Sequence, residues 1–187
     1  MARTQQHGSI GKQAFNTAVG VAAGIAVTQV KKMATQAAST AMAIDWFEAI
    51  KAEHKTIRGY FDRLLATGEK DIIERKRLLN ALDRTLGKHA FEEENVIYPA
   101  LRMMGRPQDA RELEHDHADV RAFLYELNIT ALDHAKWIER ARAFEADVQK
   151  HLLEEEREIF PAFHAQMSKS KNQKLSRMLH MQGMRLA

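Results

Sequence analysis

The sequence predicts an all-α fold: an up-down-up-down four-helix bundle, with an extra Ala/Gly-rich helix before it and one more helix after it. Three observations carry this. The chain is rich in Ala, Leu, Glu, Lys and Arg and has only three prolines and nine glycines, a composition that favours helix. Its apolar residues recur at alternating spacings of four and three, the period of one helical face. One phrase is also said twice: His89-Ala-Phe-Glu-Glu-Glu-Asn-Val-Ile-Tyr-Pro-Ala-Leu101 returns 62 positions later as His151-Leu-Leu-Glu-Glu-Glu-Arg-Glu-Ile-Phe-Pro-Ala-Phe163. A repeat at that distance marks two copies of one helical hairpin.

Residues 1–13 are polar and read as loose. Residues 14–30 form an Ala/Gly/Val-rich run, with Gly20 and Gly24 making a small-residue face and Lys31-Lys32 directly after it. At 17 residues it lies at the lower edge of a membrane span and contains Asn16, Thr17, Thr28 and Gln29. Four readings fit it: a weak membrane anchor, a helix for oligomer contact, a loose tail, and a signal peptide. The last lacks a strong hydrophobic centre.

The first bundle helix begins at Asp45, a capping residue with Glu48 three positions on. Ile50, His54, Ile57, Phe61 and Leu64 share its inner face, and Thr67-Gly68 ends it. Asp71 and Glu74 read as a second capping pair. The second helix carries Leu78, Leu82, Leu86, His89, Glu93, Val96 and Ile97 inward, and Pro99 is expected to end or bend it near Tyr98. Gly105-Arg106-Pro107 reads as a loop. The third helix starts near Gln108 and presents Leu113, His117, Val120, Leu124 and Leu127. The fourth runs from about Asp133 to Phe160, with Trp137, Phe144, Val148, His151, Glu155 and Ile159 inward, and Pro161 is expected to end or bend it. A fifth helix follows from about Lys171 to Arg185, rich in Met and Leu. The expected division is thus an N-terminal segment 1–44 for assembly or membrane contact, a bundle 45–165 and a C-terminal helix 166–187.

Charge is divided the same way. The net +3 hides four basic residues and no acid in 1–44, five basic residues and no acid in 166–187, and a middle of −6. The middle suits cations; the ends suit anionic surfaces. No nucleic-acid motif or aromatic-interleaved basic stripe is present, so nucleic acid is not an expected partner. Zero cysteines exclude disulfides, thiolate metal sites and cysteine nucleophiles, and fit a reducing, cytoplasmic setting.

Each copy of the repeat holds His-x-x-x-Glu, which places an imidazole and a carboxylate one turn apart on one face. Aligning the hairpins superposes His54 on His117. In an up-down-up-down bundle His54, His89, Glu93, His117, His151 and Glu155 then meet at one level of the core. Four imidazoles and two carboxylates among Leu, Ile and Phe would be costly without a partner. A metal pair removes that cost, each ion taking two His nitrogens and the carboxylates bridging. Di-metal carboxylate bundles follow the same logic. Imidazole and carboxylate without thiolate suit iron, manganese or zinc, and bridges with open positions favour iron. His115 competes with His117, because the two lie about 200° apart on a helix. Glu92, Glu94, Glu154 and Glu156 read as surface acids, with one of them a candidate for orienting a His. Tyr60, Tyr98 and Tyr125 read as packing residues, with a role as redox bystanders the alternative, and His7, His134, His164 and His180 read as surface. Glu112-x-x-His115 is half of a ferritin motif without a second copy.

These residues resemble the hemerythrin-like, HHE cation-binding domain family, whose pattern is His … His-x-x-x-Glu … His … His-x-x-x-Glu, over about residues 45–165. The resemblance implies a non-haem di-iron centre, oxo- or hydroxo-bridged when oxidised, that meets O2, peroxide or nitric oxide. Oxygen-carrying hemerythrins have two His ligands four residues apart on the third helix; here Arg121 stands four after His117 and Asp119 four after His115. The pattern therefore resembles the bacterial and regulatory members linked to sensing, iron handling and stress response. Three functions are carried forward: a binding or sensing module, an enzyme turning over peroxide or nitric oxide or handling iron, and a metal-stabilised assembly bundle.

Overall fold

Asp45 opens the first helix as its side chain requires, accepting the Phe47 backbone N–H at 2.9 Å. In the computed structural model, which describes residues 45–132 and 135–185, α1 spans Trp46–Leu65 and α2 spans Ile72–Glu92. A π-helical turn, Glu93–Ile97, joins α2 without a break to α3, Tyr98–Met103. After a short turn α4 runs over Pro107–Ile129. The fourth rod repeats the second: α5, Ala135–Glu154, a π-turn at Glu155–Ile159, and α6, Phe160–Ala165. The C-terminal helix α7 covers Lys169–Gly183. The described residues are all helix and turn. The Ala/Gly-rich segment 14–30, with its Gly20/Gly24 face, His7, Asp133 and His134 lie outside them. Among the described helices none is long and apolar enough to cross a membrane.

Pro99 and Pro161, each expected to end or bend its helix, do not end the rods. Each sits in the first turn of a helix that continues the rod, α3 or α6. Proline lacks an N–H and its ring presses on the carbonyl four residues back. Widening the preceding turn by one residue relieves that clash, and both π-turns lie immediately before the prolines. Their closing bonds run from Tyr98 N–H to Glu93 C=O and from Phe160 N–H to Glu155 C=O, five residues back. The widening also changes the phase of the inner face. Residues five apart now stack, so Tyr98 faces the same way as Glu93.

The turn after α3 is fixed by Gly105, whose φ of 83° suits glycine alone. Its N–H reaches Arg102 C=O at 3.2 Å and Arg106 N–H reaches Leu101 C=O at 3.0 Å, a Schellman closure, and Pro107 then starts α4. Asp71 departs from expectation. Its side chain makes no helix cap and instead accepts the Gly68 N–H at 2.8 Å. At that end Arg75 is buried, donating to Thr67 Oγ1 at 3.0 Å and to Leu132 C=O at 2.5 Å beneath the Trp137 ring, and so ties two loops together.

Every inward residue expected on the four rods is buried. They form two apolar layers. One holds Phe61, Leu82, Leu124 and Phe144; the other holds Trp46, Ile97, Leu113 and Phe160. The histidines interrupt each rod between these layers: His54 stands between Ile50 and Ile57, and His117 between Leu113 and Val120.

Helix α7 packs on α1, α2 and the first π-turn. Leu175, Ser176 and Leu179 are buried, whereas Met178, Met181 and Met184 are exposed, so the leucines and not the methionines dock it. Ser176 Oγ accepts the Trp46 N–H at 3.0 Å. Asp45 accepts from Asn172 Nδ2 at 2.5 Å and pairs with His164 Nε2 at 3.1 Å, so His164, read as a surface residue, is half-buried at this junction. Burial pushes the Asp45 carboxyl up, but Asn172, His164 and the Phe47 N–H outweigh it and hold it below its ordinary value of 3.8. A folded-state pKa below the unfolded one means stability present above that ordinary value and lost as pH falls through the folded value. Asp45→Ala is therefore expected to cost about 1 kcal/mol at neutral pH, with the gap closing in acid. Urea melts of parent and variant over a pH series check this.

Candidate metal centre

The layer between the two apolar cores contains all six residues that the repeat singled out. His54, Glu93 and Glu155 are fully buried, and His89, His117 and His151 are at most 4% exposed. Their rings gather in pairs, His54 with His89 at 4.8 Å between centroids and His117 with His151 at 4.9 Å. The alternative ligand His115 points out to solvent, as does Glu112 of the half ferritin motif.

Each imidazole turns Nε2 inward and Nδ1 outward. On the inside, His89 Nε2 and His117 Nε2 each stand 3.4 Å from Glu93 Oε2. His54 Nε2 is 3.3 Å from Glu155 Oε2, and His151 Nε2 is 3.6 Å from Glu155 Oε1. Each carboxylate thus faces two imidazoles on different helices. On the outside, each Nδ1 meets an acid: His54 meets Glu156 at 2.8 Å, His117 meets Glu94 at 3.1 Å, and His89 and His151 meet Glu53 and Asp116, each at 3.2 Å. An acid on Nδ1 fixes the ring and leaves Nε2 as the donor atom for a cation.

The outer acids obey the repeat. Glu53 and Asp116 immediately precede His54 and His117, and each serves the His-x-x-x-Glu histidine of its own hairpin. Glu94 and Glu156 are the third acids of the two Glu-Glu-Glu runs, and each crosses to the other hairpin. Arg58, four after His54, holds Glu156 through Nη1 at 2.8 Å and Nη2 at 3.2 Å. Arg121, four after His117, holds Glu94 at 3.1 Å. The position where a further histidine ligand was sought is thus an arginine that steadies an outer acid. Glu92, expected at the surface, is buried beside Lys88, with Gly183 of α7 packed directly against its carboxylate. Burial and the Glu53 carboxylate push Glu92 up to about 7, with Lys88 opposing them.

Tyr98 was read as packing and is more than that. Its hydroxyl lies 3.1 Å from Glu93 Oε2, 3.1 Å from Glu155 Oε1 and 3.2 Å from His117 Nε2. Burial between two carboxylates pushes it well above its ordinary pKa of 10, so it keeps its proton. The repeat carried a signal for this residue: its counterpart in the second copy, Phe160, has no hydroxyl. Tyr60 and Tyr125 lie away from the site, and Tyr125 is 65% exposed.

Electrostatics and satisfaction agree on what the site wants. Burial pulls His54 and His117 down, but the facing carboxylates overcome it and raise both, His117 up to about 9. His151 is raised in the same way, by Glu155 and Asp116 against its burial. Glu93 is held at about 2 against its burial by His89, His117 and His54. Yet, among the described residues, His54 Nε2, His89 Nε2, His151 Nε2, Glu93 Oε1 and Glu155 Oε2 are buried without a hydrogen-bond partner. Five such atoms aimed at one small volume are costly. They fit metal cations. Donor atoms within 4.8 Å of one another form two groups, His89-Glu93-His117-His151 and His54-His89-Glu93-Glu155, which share His89 and Glu93. The set is imidazole and carboxylate without thiolate, which admits iron, manganese and zinc.

Known proteins point the same way. A crystal structure of a hemerythrin HHE cation binding domain-containing protein from Mycobacterium kansasii matches the fold with a TM-score of 0.68 at 21% identity, covering 76% of this chain and 87% of that one. No curated protein sequence matches the chain. Residues 46–163, the four rods and all six inner residues, match the family model described as the hemerythrin HHE cation binding domain. The chain belongs to that family.

Proposed function

We propose that the bundle holds two iron ions between its apolar layers and uses them to bind or sense O2 or a related small oxidant, peroxide or nitric oxide. The observation that carries this is the pair of four-residue donor groups sharing His89 and Glu93. His89 has one inward nitrogen and can serve only one ion, so what suits two ions is the Glu93 carboxylate common to both groups; a structural zinc needs only one group. When bound, iron supplies one-electron chemistry toward a small oxidant. The chain supplies the rest. The Nε2 atoms of His54, His89, His117 and His151, with Glu93 and Glu155, hold the ions. Glu53, Glu94, Asp116 and Glu156 orient the rings. The layers around Phe61 and Trp46 exclude bulk water.

A second reading, turnover of the oxidant, draws on Tyr98. An O–H that keeps its proton at the centre of the site is a proton donor within reach of a bound small molecule. Excess peroxide added to the iron-loaded protein separates the readings. One stoichiometric optical change supports sensing, repeated cycles support an enzyme, and no change at all contradicts both. Tyr98→Phe is expected to keep both ions and cost about 1–3 kcal/mol in melts, because a charged hydrogen-bond network is cut. Loss of metal from that variant would make the hydroxyl oxygen a ligand instead.

A further inference from the structure

Outside the metal centre, one concave surface has chemistry that the centre does not use. It is a groove of about 280 Å³ between α3 and α7. Val96 and Leu175, both buried, form its floor, and Met104, Met167 and Met178 line it. Lys171 and Lys174 stand on its rim, and among the described residues no acid lines it. Among the described residues neither ammonium has an ion-pair or hydrogen-bond partner. All of residues 166–187 are without an acid, so the rim has no nearby sequence neighbour to neutralise it.

We propose that this groove binds a single-chain fatty-acid carboxylate of medium length, with its chain on the methionines and its carboxylate on Lys171 and Lys174. Methionine is flexible and polarisable and moulds to a mobile chain. Lys171 and Lys174 supply the counter-charge that a carboxylate head needs, and the apolar lining between the helices suits the alkyl chain behind it.

The test is calorimetric titration of the full-length, metal-loaded protein with octanoate, decanoate, dodecanoate and 1-decanol, and with phosphatidylglycerol vesicles. Saturable one-site binding of decanoate is expected, tightening by up to about fourfold per added methylene until the groove is full. Decanol should bind about fivefold more weakly, and the Lys171→Gln/Lys174→Gln double variant should bind decanoate about as weakly as decanol, with metal content unchanged. Ala100→Trp, which fills the groove, should block binding. Equal binding of decanol and decanoate, or indifference to the double variant, would overturn the proposal. So would vesicle binding without saturable decanoate binding, which would make this face a membrane contact.

Discussion

Glu93→Ala is expected to strip both ions from the protein and to destabilise the bundle by about 3–5 kcal/mol, the range for removing one partner from a buried charged cluster. Glu93 belongs to both donor groups, so no complete group survives its loss. His89 and His117 would also lose their common carboxylate at 3.4 Å, and Tyr98 one of its two acceptors. Elemental analysis and urea melts of the purified variant measure both effects. The sharper comparison is with His54→Ala and His151→Ala. Each of these residues belongs to only one group, so each variant is expected to retain one ion. Glu94→Ala removes only an outer acid and should weaken metal binding about 10–100-fold without abolishing it.

The second large effect concerns the scaffold. Trp46→Ala is expected to cost about 3–5 kcal/mol, the range for deleting a large buried aromatic. For a chain of this length that lowers the melting temperature by roughly 6–20 °C. Trp46 is fully buried among Phe160, Phe163 and His164, with ring centroids at 5.5, 5.6 and 5.8 Å, and its backbone N–H anchors Ser176 of α7. Among the described residues its indole N–H has no hydrogen-bond partner, so the ring's contacts there are packing contacts. Folded Trp46→Ala protein should still bind two ions, because the ring lies a layer away from the donors. Calorimetry and metal analysis on one sample therefore distinguish scaffold from site.

The four rods and the six inner residues were legible because both obey periods. A face repeating every four and three residues fixes what points inward, and a phrase repeated at 62 residues fixes which inner positions are equivalent. What the sequence obscured lies where periodicity is broken or long-range contact decides. Pro99 and Pro161 looked like helix ends or bends because a proline penalises an α-turn; a π-turn removes the penalty, and the spacing of residues does not announce one. That same turn brings Tyr98 over Glu93, five positions away, where an α-helical projection points it elsewhere. Glu94 and Glu156 looked like surface acids because their partners, His117 and His54, lie on the other hairpin. Glu92 is buried by Gly183, 91 residues later, through the docking of α7. Glu53 and Asp116 could have been found: each precedes the lone histidine of its hairpin, and the alignment of His54 with His117 placed them together.

Two ions at one carboxylate-linked site would show in the metal content and visible spectrum of protein purified from iron-supplemented cells, read reduced and then in air. Two irons per chain are expected, with a visible charge-transfer absorption that changes when the reduced protein meets O2. No iron, or a single zinc per chain, would contradict this and reduce the centre to a structural site in a bundle whose fold would stand.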